Sequence, residues 1–172
     1  MESEFNDINI EKKLKLNDCF ISESENSNFR KSVIQSPKGN IELGISFYSN
    51  MLFVIINSNG KLGNIWIGEL EHESDNQEEN FSDIRCILGN RKDEISQFIS
   101  DTIINFIFNE IKMNKNDSKF SNIKKIMLSL ALKYQNLFDY DLNLSDQDEI
   151  LYTDGFKKFV EDLKKNISEL LN

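Results

Sequence analysis

The sequence predicts an α+β fold of six strands and two helices in the order βββββαβα. The strands are expected to form an antiparallel six-stranded sheet, or a sandwich curled from it, with both helices packed on one side. Three observations predict it. Residues 51–70 hold two apolar runs hinged on Asn59-Gly60, a dipeptide that tolerates the positive φ of a tight turn. Beyond Gly89-Asn90 the apolar spacing changes from a period of two to that of a helix. The chain closes on a second stripe of helical spacing, Phe156, Phe159, Val160, Leu163, Ile167, Leu170 and Leu171.

Residues 1–28 are mostly polar with weak periodicity and are expected to be a flexible N-terminal extension, with residues 29–172 as one domain. Ser32 to Ser36 forms a short strand, spanning about 31–36 and closed by the turn residues Pro37 to Asn40. In the next strand, about 40–48, Ile41, Leu43, Ile45 and Phe47 alternate with Glu42, Gly44, Ser46 and Tyr48. The run at 51–57 is apolar at both odd positions (Met51, Phe53, Ile55) and even ones (Leu52, Val54, Ile56), the pattern of a strand covered on both faces. It is expected to pair antiparallel with 64–70, giving a meander of four strands.

An acidic stretch from Glu71 to Asn80 has nothing to bury and is expected to be a mobile loop. Ile84, Cys86 and Leu88 mark a fifth strand over 82–88. Ile95, Ile99, Ile103, Ile107 and Ile111 then mark a helix over about 93–113, its positive end favoured by Asp93 and Glu94. A sixth strand follows near 126–132, where Ile126, Leu128, Leu130 and Leu132 alternate with Met127, Ser129 and Ala131. A polar connection leads to the terminal helix, about 154–171.

The chain has 172 residues, 39% of them hydrophobic and 28% charged, enough for one domain with a usable core. A net charge of −9 argues against nucleic acid, because phosphate binding relies on clustered Lys and Arg that would here oppose the field of the whole protein. The N-terminal stretch leads into no apolar run long enough for a signal sequence or a membrane span, so the expected location is the cytoplasm or nucleus, away from membranes.

Chemistry is hard to place. The single histidine, His72, stands between Glu71 and Glu73 in the acidic stretch, which removes any site needing two. Cys19 and Cys86 are far apart without metal-ligand spacing, and Cys86 alternates with core-like neighbours. The acids Asp139, Asp141, Asp146, Asp148 and Glu149 lack the glycine and glutamate register of a calcium loop. Gly60-Lys61-Leu62-Gly63 is too short for a phosphate loop and leads into a strand. No catalytic residue, metal or cofactor is therefore expected. What remains is surface: two helices cover one face of a sheet, yet the strand at 51–56 is apolar on both, and Trp66 and Leu70 lie opposite Ile65 and Ile67. Either the sheet curls on itself or another chain supplies the cover.

In order, the chain has the apolar strand Leu52 to Asn57, the turn Gly60-Lys61-Leu62-Gly63, a second strand, a variable polar loop, and a strand Ile84 to Gly89 closing in Leu88-Gly89. The helix around Ile95 to Ile107 and the aliphatic strand Ile126 to Lys133 follow. This ordered set resembles the proteasome assembly chaperone 3 family over roughly Arg30 to Lys133. The related proteasome assembly chaperone 4 also ends its equivalent strand in Leu-Gly, and the Gly-Lys-Leu-Gly turn favours the first. The resemblance implies a non-catalytic protein that pairs with a second small chaperone, or with itself. It would help to order the α subunits of the 20S proteasome core, leaving before the particle matures. Phe47, Trp66 and Leu70, with the acids Glu71, Glu73, Asp75, Glu78 and Glu79, are the candidate partner contacts. The 28-residue extension and the connection Tyr134 to Tyr152 depart from the family. Two alternatives stay open: an adaptor module of similar fold with a different partner, told apart by a formed pocket, and an enzyme using Cys86, told apart by a reactive thiol.

Overall fold

The computed structural model describes residues 28–36, 39–70, 82–114, 116–133 and 153–172. The strands are β1 (Phe29–Ser36), β2 (Gly39–Phe47), β3 (Met51–Asn57), β4 (Asn64–Leu70), β5 (Ser82–Leu88) and β6 (Lys125–Ala131), and the helices are α1 (Glu94–Met113) and α2 (Asp154–Leu171). The element order is the one expected from the sequence. The N-terminal extension, except its last residue, and the connections at 71–81 and 134–152 lie outside the described residues.

The strands form one open six-stranded sheet in the order β1-β2-β3-β6-β4-β5. This corrects the expectation in two respects. The sheet is mixed rather than antiparallel, because β6 pairs parallel with β3 and antiparallel with β4. Its strands remain in a single layer instead of curling into a sandwich. The antiparallel meander holds for β1, β2 and β3 only, since β6 returns after α1 and separates β3 from β4. The reason is visible in the turn. Six residues, Ser58 to Gly63, bridge two strand spacings rather than one. Asn57 Oδ1 accepts from the N–H groups of Asn59 and Gly60, and Asn59 Oδ1 from that of Lys61. Gly60 adopts φ +71°, and Ser58 N–H donates to the Ala131 carbonyl at 2.9 Å, tying the turn to β6.

Both helices cover the same face. Asp93 caps α1, its Oδ1 accepting from the Ser96 N–H at 3.0 Å, and Thr153 caps α2 through the Phe156 N–H at 3.2 Å. Ile95, Ile99, Ile103, Ile104, Ile107 and Ile111 of α1 and Phe156, Leu163, Ile167 and Leu170 of α2 are buried. They pack on Ile41, Leu43 and Ile45, on Leu52, Val54 and Ile56, and on Ile126, Leu128 and Leu130 in one continuous core. The last turn of α2 is held by cations, as the free carbonyls of a helix end favour: Arg30 Nη1 donates to the Leu170 carbonyl and Lys119 Nζ to that of Leu171, both at 2.7 Å.

Candidate partner-binding face

Strand alternation sends every second residue away from the helices. Cross-strand pairing arranges these outward residues in rows. One row runs Lys31, Gly44, Ile55, Ser129, Ile65, Leu88, and its neighbour runs Phe29, Ser46, Phe53, Met127, Ile67, Arg85. Among the described residues no helix or strand packs over them. Phe53, Ile55, Ile65, Ile67 and Met127 are half-buried by one another, while Phe29 and Leu88 at the margins are 40% and 59% exposed. The register slips between Ile65 and Trp66, so Ile87 is left over beside Leu88 on edge strand β5.

Charge is confined to the rim and is balanced there. Lys31 Nζ lies 3.2 Å from Glu42, and Glu69 Oε1 is shared by Lys125 Nζ at 3.3 Å and Arg85 Nη2 at 3.4 Å. Arg85 also lies 3.7 Å from Asp83. Three cations thus meet three carboxylates, so the face carries little net charge on a chain of −9. A flat, neutral, aliphatic and aromatic surface with a paired rim is suited to burial against another protein.

Of the expected contacts, Phe47, Trp66 and Leu70 are on the helix-covered side. Trp66 is 3% exposed on the covered face, its indole N–H donating to Ser96 Oγ at 3.3 Å, so no partner reaches it while α1 is in place. Phe47 is half-buried on that same side, its ring 6.2 Å from that of Phe120 and capped by the Arg30 guanidinium at 5.5 Å. Leu70 packs on the core at the end of β4. Glu71, Glu73, Asp75, Glu78 and Glu79 lie outside the described residues. The signal for the outward set was the two-sided apolar pattern of β3; what it lacked was the parity of the helices. Gly68 carries that parity, since it shares a face with Trp66 and a Cβ there would strike Ile104 of α1.

The motif residues are structural. A Cβ on Gly63 would collide with the backbone of Leu130 and Ala131, so this glycine lets the turn lie against β6. Lys61 and Leu62 project from the turn, Leu62 71% exposed. Gly89, following Leu88, lies against Asn64. The Asn64 amide accepts from the Asn90 N–H at 2.9 Å and donates to Ser96 Oγ at 3.0 Å, joining the start of β4 to that of α1. Cys86 is buried. Among the described residues no cluster of His, Cys, Asp and Glu could hold a metal ion, and no helix is long and apolar enough to cross a membrane.

Comparison with known proteins gives two findings. The sequence profile described as "Proteasome assembly chaperone 3" matches residues 54–166, more than half of the chain. A solved structure titled "Crystal Structure of a Novel Chaperone Complex for Yeast 20S Proteasome Assembly" has a chain similar in fold, with a TM-score of 0.51 and 13% identity over 80% of this chain and 96% of that one. No curated protein sequence matches.

Proposed function

Because the chain belongs to the proteasome assembly chaperone 3 family, we propose that it is a non-catalytic proteasome assembly chaperone, pairing through the open face of its sheet and promoting 20S α-ring assembly by binding α subunits. The observation that carries the pairing is the two-sided apolar strand β3: the helices bury Leu52, Val54 and Ile56, while Phe53 and Ile55 stand in a neutral apolar field that nothing among the described residues covers. The yeast complex is a chaperone complex for 20S assembly by its title, which supports the same reading.

Such a protein works by binding energy. Holding a subunit in a productive orientation lowers the entropic cost of the next association, and no bond is made or broken. The acids Glu71, Glu73, Asp75, Glu78 and Glu79 are tethered between the ends of β4 and β5. With the overall −9 charge they would speed encounter with a basic subunit surface and disfavour other partners. The cytoplasm or nucleus is the compartment this reading requires.

The test is recovery of the tagged chain from native extract, with its companions identified by mass spectrometry. Proteasome α subunits are expected, and their absence overturns the assignment in favour of an adaptor with another partner. Replacing the five acids by Gln and Asn should slow association with the captured subunit and flatten its salt dependence. Unchanged kinetics would remove the steering role.

A further inference from the structure

Within the N-terminal extension, residues 8–20 carry the period of a strand. The even positions Ile8, Ile10, Leu14, Leu16 and Phe20 are apolar, broken at Lys12 and Asp18, while the odd positions are polar from Asn9 to Asn17. Such a segment needs a sheet to lie on, because a lone strand leaves its apolar side in water. Among the described residues the sheet ends at β1 on one side and β5 on the other. Position favours β1. Asn28 carries the ladder one residue beyond it, its carbonyl accepting from the Phe47 N–H at 2.8 Å, so the extension joins the sheet at this edge. β5 lies five strand spacings away, about 24 Å. The intervening residues Ile21 to Asn28 are rich in Ser and Asn, which suit a chain reversal.

We infer that residues 13–20 add to the edge of the sheet as a seventh strand, antiparallel to β1, with Phe20 opposite Phe29 and Leu14 opposite Gln35. The outward side chains of β1 are Phe29, Lys31, Val33 and Gln35. In this register they meet Phe20, Asp18, Leu16 and Leu14, giving an aromatic pair, a charge pair, an aliphatic pair, and Leu14 over the stem of Gln35. Asp18, which breaks the apolar alternation, thus falls on the one cation of the outward row. Lys31 Nζ lies 3.2 Å from Glu42, and its side chain is 40% exposed, so the ammonium keeps hydrogens for a second carboxylate. Phe29 is 40% exposed although its ring already covers Gly44, which leaves surface for an aromatic neighbour to bury.

Neighbouring registers fail on the same residues. A slip of two sets Leu16 against Lys31 in one direction and Asp18 against Val33 in the other. A slip of one turns the alternation over and puts Lys15 or Asn17 on Val33. The covered side agrees. α2 lies over β1 and β2, and among the described residues no helix lies beyond it. Lys13, Lys15 and Asn17, on that side of the added strand, therefore meet water, as their polarity requires. The folded domain then begins at residue 13 rather than 29, and its first edge no longer offers a template to a foreign strand.

Two measurements on the purified full chain test this. The first is hydrogen exchange: amides of residues 13–20 should exchange about tenfold to a hundredfold more slowly than unstructured amides of the same sequence. Leu16→Asp, which sets a carboxylate on Val33, should abolish that protection and leave β3 and β6 protected. The second reads the register by oxidation in a Cys19→Ser, Cys86→Ala background. Leu16→Cys with Val33→Cys should form a disulfide within one copy. Leu14→Cys with Val33→Cys, the pair that a two-residue slip would join, should not. Unprotected amides at 13–20, protection indifferent to Leu16→Asp, a missing first disulfide, or equal formation of the second would each overturn the inference. A disulfide joining two copies would overturn the occupant, giving the edge to the extension of another chain. Capture of α subunits in the preceding test is independent of every one of these outcomes.

Discussion

The two faces of the sheet are made from the same strands and differ in what they rest on. On the covered face Leu52, Val54, Ile56, Ile126 and Leu128 are fully buried against two helices, and Gly68 leaves room for Ile104. On the other face their immediate neighbours Phe53, Ile55 and Met127 are half-buried, and the small residues Gly44, Ser46 and Ser129 lie between them. Both faces are apolar at their centre, but only the outer one is edged with charge, and their degree of closure differs. The difference teaches that an apolar centre alone does not distinguish a covered face from an open one, and that the separating variable is which face the helices take.

The largest expected effect follows directly. Leu128→Ala empties a fully buried site and should cost about 2–5 kcal/mol of folding stability. Met127→Ala, one residue away on the half-buried open face, should cost less, about 1 kcal/mol. Denaturant unfolding of both variants checks this. Equal losses would mean that the outer face is covered as fully as the inner one.

Two glycines sharpen the comparison at smaller scale. A Cβ at Gly68 meets Ile104 and Phe108 of α1, inside a core that cannot give, so Gly68→Ala should cost about 1–3 kcal/mol. At Gly44 the nearest atoms are at the tip of the Phe29 ring, 2.9 Å away, with Ile55 next at 3.8 Å. That ring stands at the margin of the sheet and can swing aside, so Gly44→Ala should cost less than about 1 kcal/mol of folding stability. Thermal unfolding of the two variants at matched concentration decides it. A larger loss at Gly44 would show that Phe29 is as fixed as the helix.

Much of this fold was legible in the sequence because each element has one dominant period. The spans 51–57, 64–70, 82–88 and 154–171 coincide with β3, β4, β5 and α2. Strand pairing was not legible in the same way. Asn59-Gly60 announces a turn but does not say whether the runs it joins become neighbours, and nothing local records that β6 would enter between them. The site was half legible for the same reason. The two apolar faces of β3 announced that a second cover was needed, yet choosing Phe53 and Ile67 over Trp66 required the helices to be placed first. Trp66 was misleading because a large aromatic suits an interface and a core equally well.

A smaller effect belongs to the covered face alone. Ser32 Oγ and Ser100 Oγ are buried without a hydrogen-bond partner among the described residues. A buried hydroxyl that has given up water for nothing is a net cost, so Ser100→Ala should stabilise the fold by about 1 kcal/mol. Ser32→Ala should do so by a similar amount. Loss of stability in either variant would reveal a partner for that hydroxyl and make the covered face more polar than its geometry shows.

The finest distinction is electrostatic, and it sets α1 against the turn that follows it. Partial burial on α1 holds the Asp101 carboxyl above the ordinary 3.8. The unfolded chain therefore releases this proton first as pH rises. Stability that is fully present below the unfolded value is lost as pH climbs through the higher folded one. Asp117 has the opposite sign: the backbone N–H of Lys119 donates to its Oδ1 at 3.0 Å and holds the carboxyl below 3.8. Its stabilisation is present above the unfolded value and is lost as pH falls through the folded one. The melting-temperature difference between Asp101→Asn and wild type should accordingly grow in favour of the variant from about pH 4 toward neutrality. For Asp117→Asn the variant should lose ground over the lower part of the acid range. Parallel slopes for the two variants would mean that burial on α1 does not reach Asp101, and that the covered layer ends one residue earlier, at Ser100.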